Sequence, residues 1–154
     1  MTIAIGADHA GFELKEELKT FAEKLGHDVA DLGAHEYNAL DDYPDFAAAV
    51  AMEVAAERAS KGILICGSGV GASIAANKVV GVRAAVCCEP YSAHQGVEHD
   101  DMNVVVVGSR VTGIEVAKEI IASFLRAEFS GEDRHVRRLN KVLKIESLSL
   151  EGKK

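Results

Sequence analysis

The sequence predicts an α/β fold: a single-domain, Rossmann-like three-layer sandwich with a five-stranded parallel sheet and a C-terminal helix. Two observations lead to this prediction. Strand-like and helix-like segments alternate along all 154 residues, which is typical of a doubly wound parallel sheet. The segment 103–107 reads Asn-Val-Val-Val-Val, as expected of a central strand that helices cover on both faces. Neither an interdomain linker nor an internal repeat is visible, so residues 1–154 are read as one domain.

Short apolar runs predict the strands, and apolar residues at helical spacing predict the helices between them. Strands are expected at 2–6, 28–32, 62–66, 82–87 and 103–107. A first helix is expected over 11–25, where Leu14, Leu18 and Phe21 recur at helical spacing and Gly26 provides the stop signal. Further helices are expected at 45–60 (with Pro44 just before its start), 72–79, 91–97, 113–127 and 133–145.

Composition excludes several classes of protein. With 48% hydrophobic residues and only two prolines, the chain is globular rather than disordered. The net charge of −7 argues against nucleic acid or an anionic membrane as the partner, but not against a small phosphate ester. The three cysteines, two of them adjacent, are unlike a disulfide framework. Because no signal peptide or apolar run of membrane-spanning length is visible, we expect a cytoplasmic protein.

The segment 62–78 carries the strongest functional signal. A buried strand ends on Cys66, and a loop with Gly67, Gly69 and Gly71 leads into a helix of small residues. In such a loop successive N–H groups can point at one anion, and a thiolate beside them is also favoured. Cys66 is therefore either a general base next to oxyanion donors or a buried small hydrophobic residue at a strand end.

Three other interpretations of this loop fail. A cysteine phosphatase needs an arginine six residues after the cysteine, where this chain has Ala72. A P-loop would continue with Gly-Lys-Ser/Thr, which is missing here. The third glycine comes one residue too early for a dinucleotide-binding Gly-x-Gly-x-x-Gly motif.

Polar residues that follow the other predicted strands are further candidates. Asp8 and His9 can bond sugar hydroxyls or a phosphate, although Asp8 could also be an ordinary helix cap. His99 offers an imidazole, a group that could transfer a proton, or it could belong to a polar turn. A metal site formed by His9, His99, Asp100 and Asp101 matches no compact ligand spacing.

A run of cations lies near the C-terminus of this acidic chain. Arg134 and Arg138 are four residues apart, hence on one helical face, and could clamp a phosphate, or they could belong to a solvated helix face. Arg110 lies three residues after the end of the fifth predicted strand and is harder to explain as a surface residue. The histidines outside these groups are expected at the surface: His27, His35, His94 and His135.

Taken together, these segments resemble the type B ribose-5-phosphate isomerases, which share a family with the galactose-6-phosphate isomerase subunits. The matching segments run in order through nearly the whole chain and are 8–11, 42–44, 62–71, 73–78, 89–93, 99, 103–104, 108–110, 134–135 and 138. The resemblance implies an aldose–ketose isomerase of a small sugar phosphate that uses neither a metal nor an organic cofactor. It also implies a homodimer, in some members a tetramer, with active sites at the subunit interface.

The resemblance also implies a role for each site residue. Cys66 would move a proton between C1 and C2, and Ser68, at a position that is often threonine, would assist near these carbons. His99 would open the furanose ring, and Asp8 would bind sugar oxygens. The N–H groups of Gly67, Ser68, Gly69, Val70 and Gly71 would stabilise the enediolate. The phosphate would be bound by His9, Arg110, Arg134 and Arg138, some of them from the partner chain.

One departure from the family pattern bears on the substrate. The residue after the ring-opening histidine is usually asparagine in members that act on pentose phosphates, and here it is Asp100. A carboxylate, unlike the asparagine amide, cannot donate a hydrogen bond to the substrate. It also places a negative charge next to the ring-opening histidine. Ribose 5-phosphate is the substrate expected first. A tetrose 4-phosphate, allose 6-phosphate or galactose 6-phosphate stays open, as does a non-catalytic phosphosugar- or nucleotide-binding module.

Overall fold

The computed structural model describes residues 1–152 and confirms the predicted α/β fold. Five parallel strands form one sheet: β1 (Thr2–Ala7), β2 (Asp28–Asp31), β3 (Lys61–Cys66), β4 (Ala84–Val86) and β5 (Val104–Gly108). The order across the sheet is β2-β1-β3-β5-β4. The register aligns Ala7 with Ile65 and Cys66 with Gly108, so the carboxyl ends of β1, β3 and β5 meet at one edge.

Six helices complete the described chain: α1 (Phe12–Lys24), α2 (Tyr43–Ala55), α3 (Val70–Ala76), α4 (Pro90–Asp100), α5 (Ile114–Arg126) and α6 (Asp133–Glu151). None of the helices within residues 1–152 is long and apolar enough to cross a membrane.

The sheet is buried on both faces, as its valine-rich central strand predicts. Because side chains alternate along a strand, Ile63 and Ile65 pack into a core with α1, α4 and α5. Leu64 and Cys66 face the other way and pack into a core with α2 and α3. These two cores give the three-layer sandwich.

Several predicted boundaries differ from the structure. The second helix runs over 43–55 rather than 45–60: Pro44 lies within its first turn, and Glu57 takes a left-handed φ of 57° just after its end. The fourth strand is 84–86 rather than 82–87, because Arg83 is tied instead into a turn by its N–H bond to Asn103 Oδ1 at 2.8 Å. The last helix continues to 151 rather than ending at 145.

Candidate active site

The candidate site lies where the chain order reverses across the sheet. From β1 the chain passes to β2 on one side, whereas β3 lies on the other side of β1. Doubly wound sheets bind ligands in the crevice at this point, outside the carboxyl ends of the strands. Asp8 and His9 follow β1 here, and Cys66 ends β3 next to it.

Cys66 is a buried free thiol whose sulfur accepts a hydrogen bond. The N–H of Gly69 donates to its Sγ over 3.1 Å. Gly69 can do so because it adopts a left-handed backbone with φ of 84°, which turns its amide back toward the strand end. Cys87 differs: burial, followed by the charges of Glu89 and Cys88, raises the pKa of the Cys87 thiol to about 11. Of these two buried cysteines, Cys66 is the one whose sulfur accepts a backbone N–H, whereas the Cys87 thiol contacts the carbonyl of Ala85.

The loop after Cys66 is held close to the sheet. Val70 N–H donates to Ser68 Oγ at 3.3 Å, so the exposed Ser68 side chain folds over the loop. A Cβ at Gly71 would lie 2.7 Å from Cζ of Tyr43, so the tyrosine ring covers this glycine directly. A Cβ at Gly108 would lie 2.6 Å from the carbonyl oxygen of Ser68. Both glycines are therefore required by close packing.

Arg110 joins this edge from the end of β5. Its N–H donates to the carbonyl of Gly67 at 3.0 Å. Its side chain lies along the same glycine, with Cδ and a guanidinium nitrogen 3.7 Å from where a Gly67 Cβ would be. The guanidinium is thus placed beside the loop, where it can contact an anionic group of a ligand.

Asp8 and His9 lie beside a third polar residue, Asp41. Asp8 is not the cap residue of α1, which is Gly11; its carboxylate instead accepts the Gly11 N–H at 3.1 Å. Asp41 Oδ1 lies 2.6 Å from His9 Nδ1 and also accepts the His9 backbone N–H at 2.9 Å. One polar atom from each of Asp8, His9 and Asp41 lies within 4.8 Å of the others. The 2.6 Å contact is a direct hydrogen bond, so no ion can lie between those two atoms.

The remaining predicted site residues do not join this group within one chain. His99 and Asp100 end α4, which starts at the carboxyl edge after β4 and returns to the amino edge before β5. Its eleven residues span about 16 Å. Arg134 and Arg138 are exposed on α6, which packs against α4. All four residues therefore belong to the opposite edge of the sheet from Cys66.

His99 is held by its neighbours at that edge. Its ring stacks on His135 with a centroid distance of 4.0 Å and an interplanar angle of 27°. Its Nδ1 lies 2.9 Å from the side-chain amide of Gln95. The expectation that His135 is a surface residue is wrong, since it is 1% exposed and its Nδ1 lies 2.6 Å from Ser130 Oγ. Burial, then the positive charges of His99 and Arg134, lowers the pKa of His135.

The two sheet edges also separate the four residues that the sequence offered as a metal site. His9 lies at the carboxyl edge, whereas His99, Asp100 and Asp101 lie at the amino edge. These four residues therefore cannot share one ion within a chain.

Two residues at the carboxyl edge have no assigned role in the sequence-based interpretation. Tyr43 belongs to a segment that matches the family, but nothing in the sequence indicates that its ring covers Gly71. Asp41 stands in an acidic doublet before a predicted helix, where a capping role is the ordinary expectation. Both follow a long loop, so their positions depend on tertiary packing.

Comparison with known proteins identifies the class to which this fold belongs. The model of the family described as Ribose/Galactose Isomerase matches residues 3–142. Ribose-5-phosphate isomerase B of Escherichia coli is 47% identical over 144 residues, which cover 94% of this chain and 95% of that protein. D-erythrulose-4-phosphate isomerase of Pectobacterium atrosepticum is 40% identical over 131 residues, covering 85% of this chain and 86% of that protein. The structure of ribose-5-phosphate isomerase B from Clostridium thermocellum superposes with a TM-score of 0.93 at 46% identity, covering 97% and 99% of the two chains.

The fold and the site thus define a sugar-phosphate isomerase. The chain belongs to the ribose/galactose isomerase family, and its resemblance to the type B ribose-5-phosphate isomerases is confirmed.

Proposed function

We propose that this enzyme interconverts ribose 5-phosphate and ribulose 5-phosphate through a cis-enediolate, with Cys66 as the proton-transfer base. The observation that carries the proposal is the sulfur of Cys66 at the end of β3, with the Gly69 N–H donating to it at 3.1 Å. An amide N–H directed at sulfur stabilises the thiolate, which is the form that can accept a proton.

In this mechanism the Cys66 thiolate removes the proton from C2 of the open-chain aldose. The electron pair moves into the C1–C2 bond, and negative charge develops on the carbonyl oxygen. N–H groups of the loop 67–71 stabilise this charge, and Ser68 assists beside the reacting carbons. A proton passes from the C2 hydroxyl to the C1 oxygen, and the thiol returns its proton to C1, so that C1 carries the hydroxyl and C2 the carbonyl of the ketose. As proposed, the chemistry needs neither a metal nor an organic cofactor.

We further propose that the active site is shared between two chains of a homodimer. His99, Arg134 and Arg138 lie at the opposite edge of the sheet from Cys66, so they cannot reach the sulfur of their own chain. A two-fold arrangement would bring the amino edge of one chain against the carboxyl edge of its partner. Exposed apolar side chains on α6, among them Val142, Ile145 and Leu148, provide surface that such contact could bury.

In the shared site the partner subunit's His99 would protonate the ring oxygen and open the furanose. Asp8 would bind sugar hydroxyls. His9 and Arg110 of one chain, with the partner subunit's Arg134 and Arg138, would bind the phosphate. This division suits the charges, because the phosphate dianion would meet cations from both chains.

A tetrose phosphate is a second candidate substrate. One observation favours it: a relative of similar length is a D-erythrulose-4-phosphate isomerase. Asp100, which stands where pentose phosphate isomerases usually have asparagine, leaves the choice of sugar open without selecting a tetrose. Allose 6-phosphate, galactose 6-phosphate and a non-catalytic sugar-phosphate module are less favoured.

The test is a panel of phosphorylated aldoses of four, five and six carbons, with ketose formation followed for the parent and for Cys66→Ala. We expect the highest kcat/KM on ribose 5-phosphate and nearly complete loss in Cys66→Ala with substrate binding retained. Cys87→Ala and Cys88→Ala are the matched controls and should stay active. Turnover of Cys66→Ala within a few-fold of the parent would rule out the cysteine base.

A further inference from the structure

We propose that Asp41 is a positioning residue for His9: it fixes the imidazole with a proton on Nδ1 and leaves Nε2 as the nitrogen available to a ligand. The Asp41–His9 pair places an imidazole, oriented by a carboxylate, at the carboxyl edge of the sheet. No role for Asp41 follows from the sequence motifs.

The chain builds a specific support for Asp41. At the start of the loop between β2 and α2, Ala34 N–H donates to the carbonyl of Ala7 at 2.7 Å, beside the end of β1. At its far end, Asn38 closes a turn: its Oδ1 accepts the Leu40 N–H and its carbonyl accepts the Asp41 N–H, both at 3.0 Å. The loop is therefore held at both ends, and Asp41 is brought back to the residue pair that follows β1.

The contact itself joins one carboxylate oxygen to two donors of the same residue. Oδ1 of Asp41 lies 2.6 Å from Nδ1 and 2.9 Å from the backbone nitrogen of His9. An ionised carboxylate can only accept hydrogen bonds, so Nδ1 must carry a proton. Binding the backbone and the ring together fixes the torsion of the side chain as well as its tautomer.

The exposures of the two side chains agree with such a role. The Asp41 side chain is 10% exposed, whereas that of His9 is 28% exposed, so the orienting group is the less accessible of the two and the oriented group is open to a ligand. The ring of Tyr37 approaches His9 edge-on, with centroids 6.2 Å apart, and limits its movement on another side. A less accessible carboxylate bonded to a more accessible imidazole is the arrangement that orients a histidine for acid–base or anion contacts.

The other carboxylate oxygen of Asp41 also indicates that a ligand binds here. Oδ2 of Asp41 is buried and has no hydrogen-bond partner within residues 1–152. A buried carboxylate oxygen without a donor is costly, so a donor from outside this chain would stabilise it. A hydroxyl of a polyhydroxylated substrate has the required chemistry, and Asp8 lies close enough to share it.

Nitrogen chemical shifts of the His9 ring test the tautomer directly. We would record long-range ¹⁵N–¹H spectra of the parent, Asp41→Ala, Asp41→Asn and Asp45→Asn, with His9→Gln assigning the signal. Asp45 is an exposed aspartate on α2, so its variant controls for the loss of one charge. The parent and Asp45→Asn should show a proton on Nδ1, because both keep Asp41. Asp41→Asn should show it as well, because the asparagine carbonyl can still accept the hydrogen bond. Asp41→Ala should shift to the Nε2–H form or to exchange between the two forms. An unchanged Nδ1–H signal in folded Asp41→Ala would overturn the proposal.

A kinetic experiment, which rests on the proposed isomerase function, tests whether Asp41 positions His9 or only supports its own loop. Asp41→Ala should lower kcat/KM for ribose 5-phosphate by roughly 10-fold in the parent background. In a His9→Gln background the same substitution should change kcat/KM less than about 2-fold, because the group that Asp41 orients is gone. Equal losses in both backgrounds would contradict positioning. If the parent turns over no aldose phosphate, the proposed function fails, while the spectra still decide the role of Asp41.

Discussion

The amide of Gly69 donates a hydrogen bond to the sulfur of Cys66 across a four-residue turn, over 3.1 Å. The left-handed backbone of Gly69, with φ of 84°, makes this contact possible. The turn thus combines a conformation that favours glycine with a donor that stabilises a thiolate.

Gly69→Ala should therefore reduce activity more than stability. A side chain in this conformation costs about 1–2 kcal/mol of unfolding free energy. The new Cβ would also lie 3.1 Å from Cγ1 of Val86, so the turn or the valine must give by a few tenths of an ångström, and we expect the N–H contact to sulfur to weaken. We expect kcat to fall roughly 100-fold, the scale on which an oxyanion donor contributes.

The matched control is Gly26→Ala. Gly26 has nearly the same φ, 88°, but a Cβ there meets nothing within 4 Å, and the residue follows α1. Urea unfolding should show a similar cost for this variant, and its kcat should equal that of the parent. A Gly69→Ala enzyme that keeps parent kcat would show that the amide contact to sulfur is dispensable.

A buried ion pair should make stability depend on acid pH. Lys15 is fully buried and its Nζ donates to both carboxylate oxygens of Asp31 at 2.9 Å. Burial alone would raise the pKa of Asp31, but hydrogen bonds from Lys15, Lys19 and the Gly33 N–H outweigh it and hold the pKa at about 2. Because this pKa lies below the ordinary 3.8, the stabilisation is present above about pH 4 and is lost as the pH falls toward 2.

Asp31→Asn should cost about 3–5 kcal/mol of unfolding free energy at pH 7, because it leaves the Lys15 ammonium without its main counter-ion. The difference from the parent should shrink between pH 4 and pH 2, where Asp31 of the parent becomes protonated. Urea unfolding at pH 7, 4 and 2.5 measures this. Asp28→Asn removes an exposed aspartate of the same strand and should change stability by less than about 0.5 kcal/mol at each pH. A constant difference between parent and Asp31→Asn across these pH values would contradict the ion-pair account.

The sequence predicts most of the fold because its local signals agree with the tertiary structure. The valine run becomes β5, and the apolar run before Cys66 becomes β3, each within one residue of its predicted ends. Sequence reasoning misses Lys15 and His135, which are buried although their residue types favour the surface. Asp31 accepts hydrogen bonds from the Lys15 ammonium, and Ser130 Oγ pairs with Nδ1 of His135; such pairings form only in the folded chain. The same limit applies to Asp41, which a loop brings to His9 from 32 residues away.

The proposed ring-opening role of His99 predicts a dependence on substrate. His99→Asn should greatly slow ketose formation from ribose 5-phosphate, which must open its furanose before C2 can lose a proton. It should spare erythrose 4-phosphate, which is too short to close a five-membered ring through its phosphorylated oxygen. The measurement is kcat/KM for both substrates in parent and variant. Equal losses on both substrates would count against a role confined to ring opening.

The interface proposal predicts that two impaired variants restore activity when their chains are mixed. Arg138 lies on α6 at the opposite edge from Cys66, so the two residues would serve one site only across a dimer. Arg138→Ala should raise the KM for ribose 5-phosphate by roughly 10- to 100-fold, the size expected from losing a charge-assisted contact. In a mixed dimer with Cys66→Ala, one site would carry both lesions and the other would carry neither. Random exchange makes half of the dimers mixed, so activity at low substrate should return to about a quarter of the parent value.

The control mixes Cys66→Ala with the double variant Cys66→Ala/Arg138→Ala, a pair in which no intact site can form. Native mass spectrometry should establish the extent of subunit exchange in both mixtures before activity is compared. The first mixture should then exceed the sum of its separate components, and the control should not. If exchange is complete and the first mixture gains nothing, Arg138 does not complete the site of the partner chain. The phosphate would in that case be bound by groups at the carboxyl edge alone, where Arg110 lies beside Gly67 of the loop.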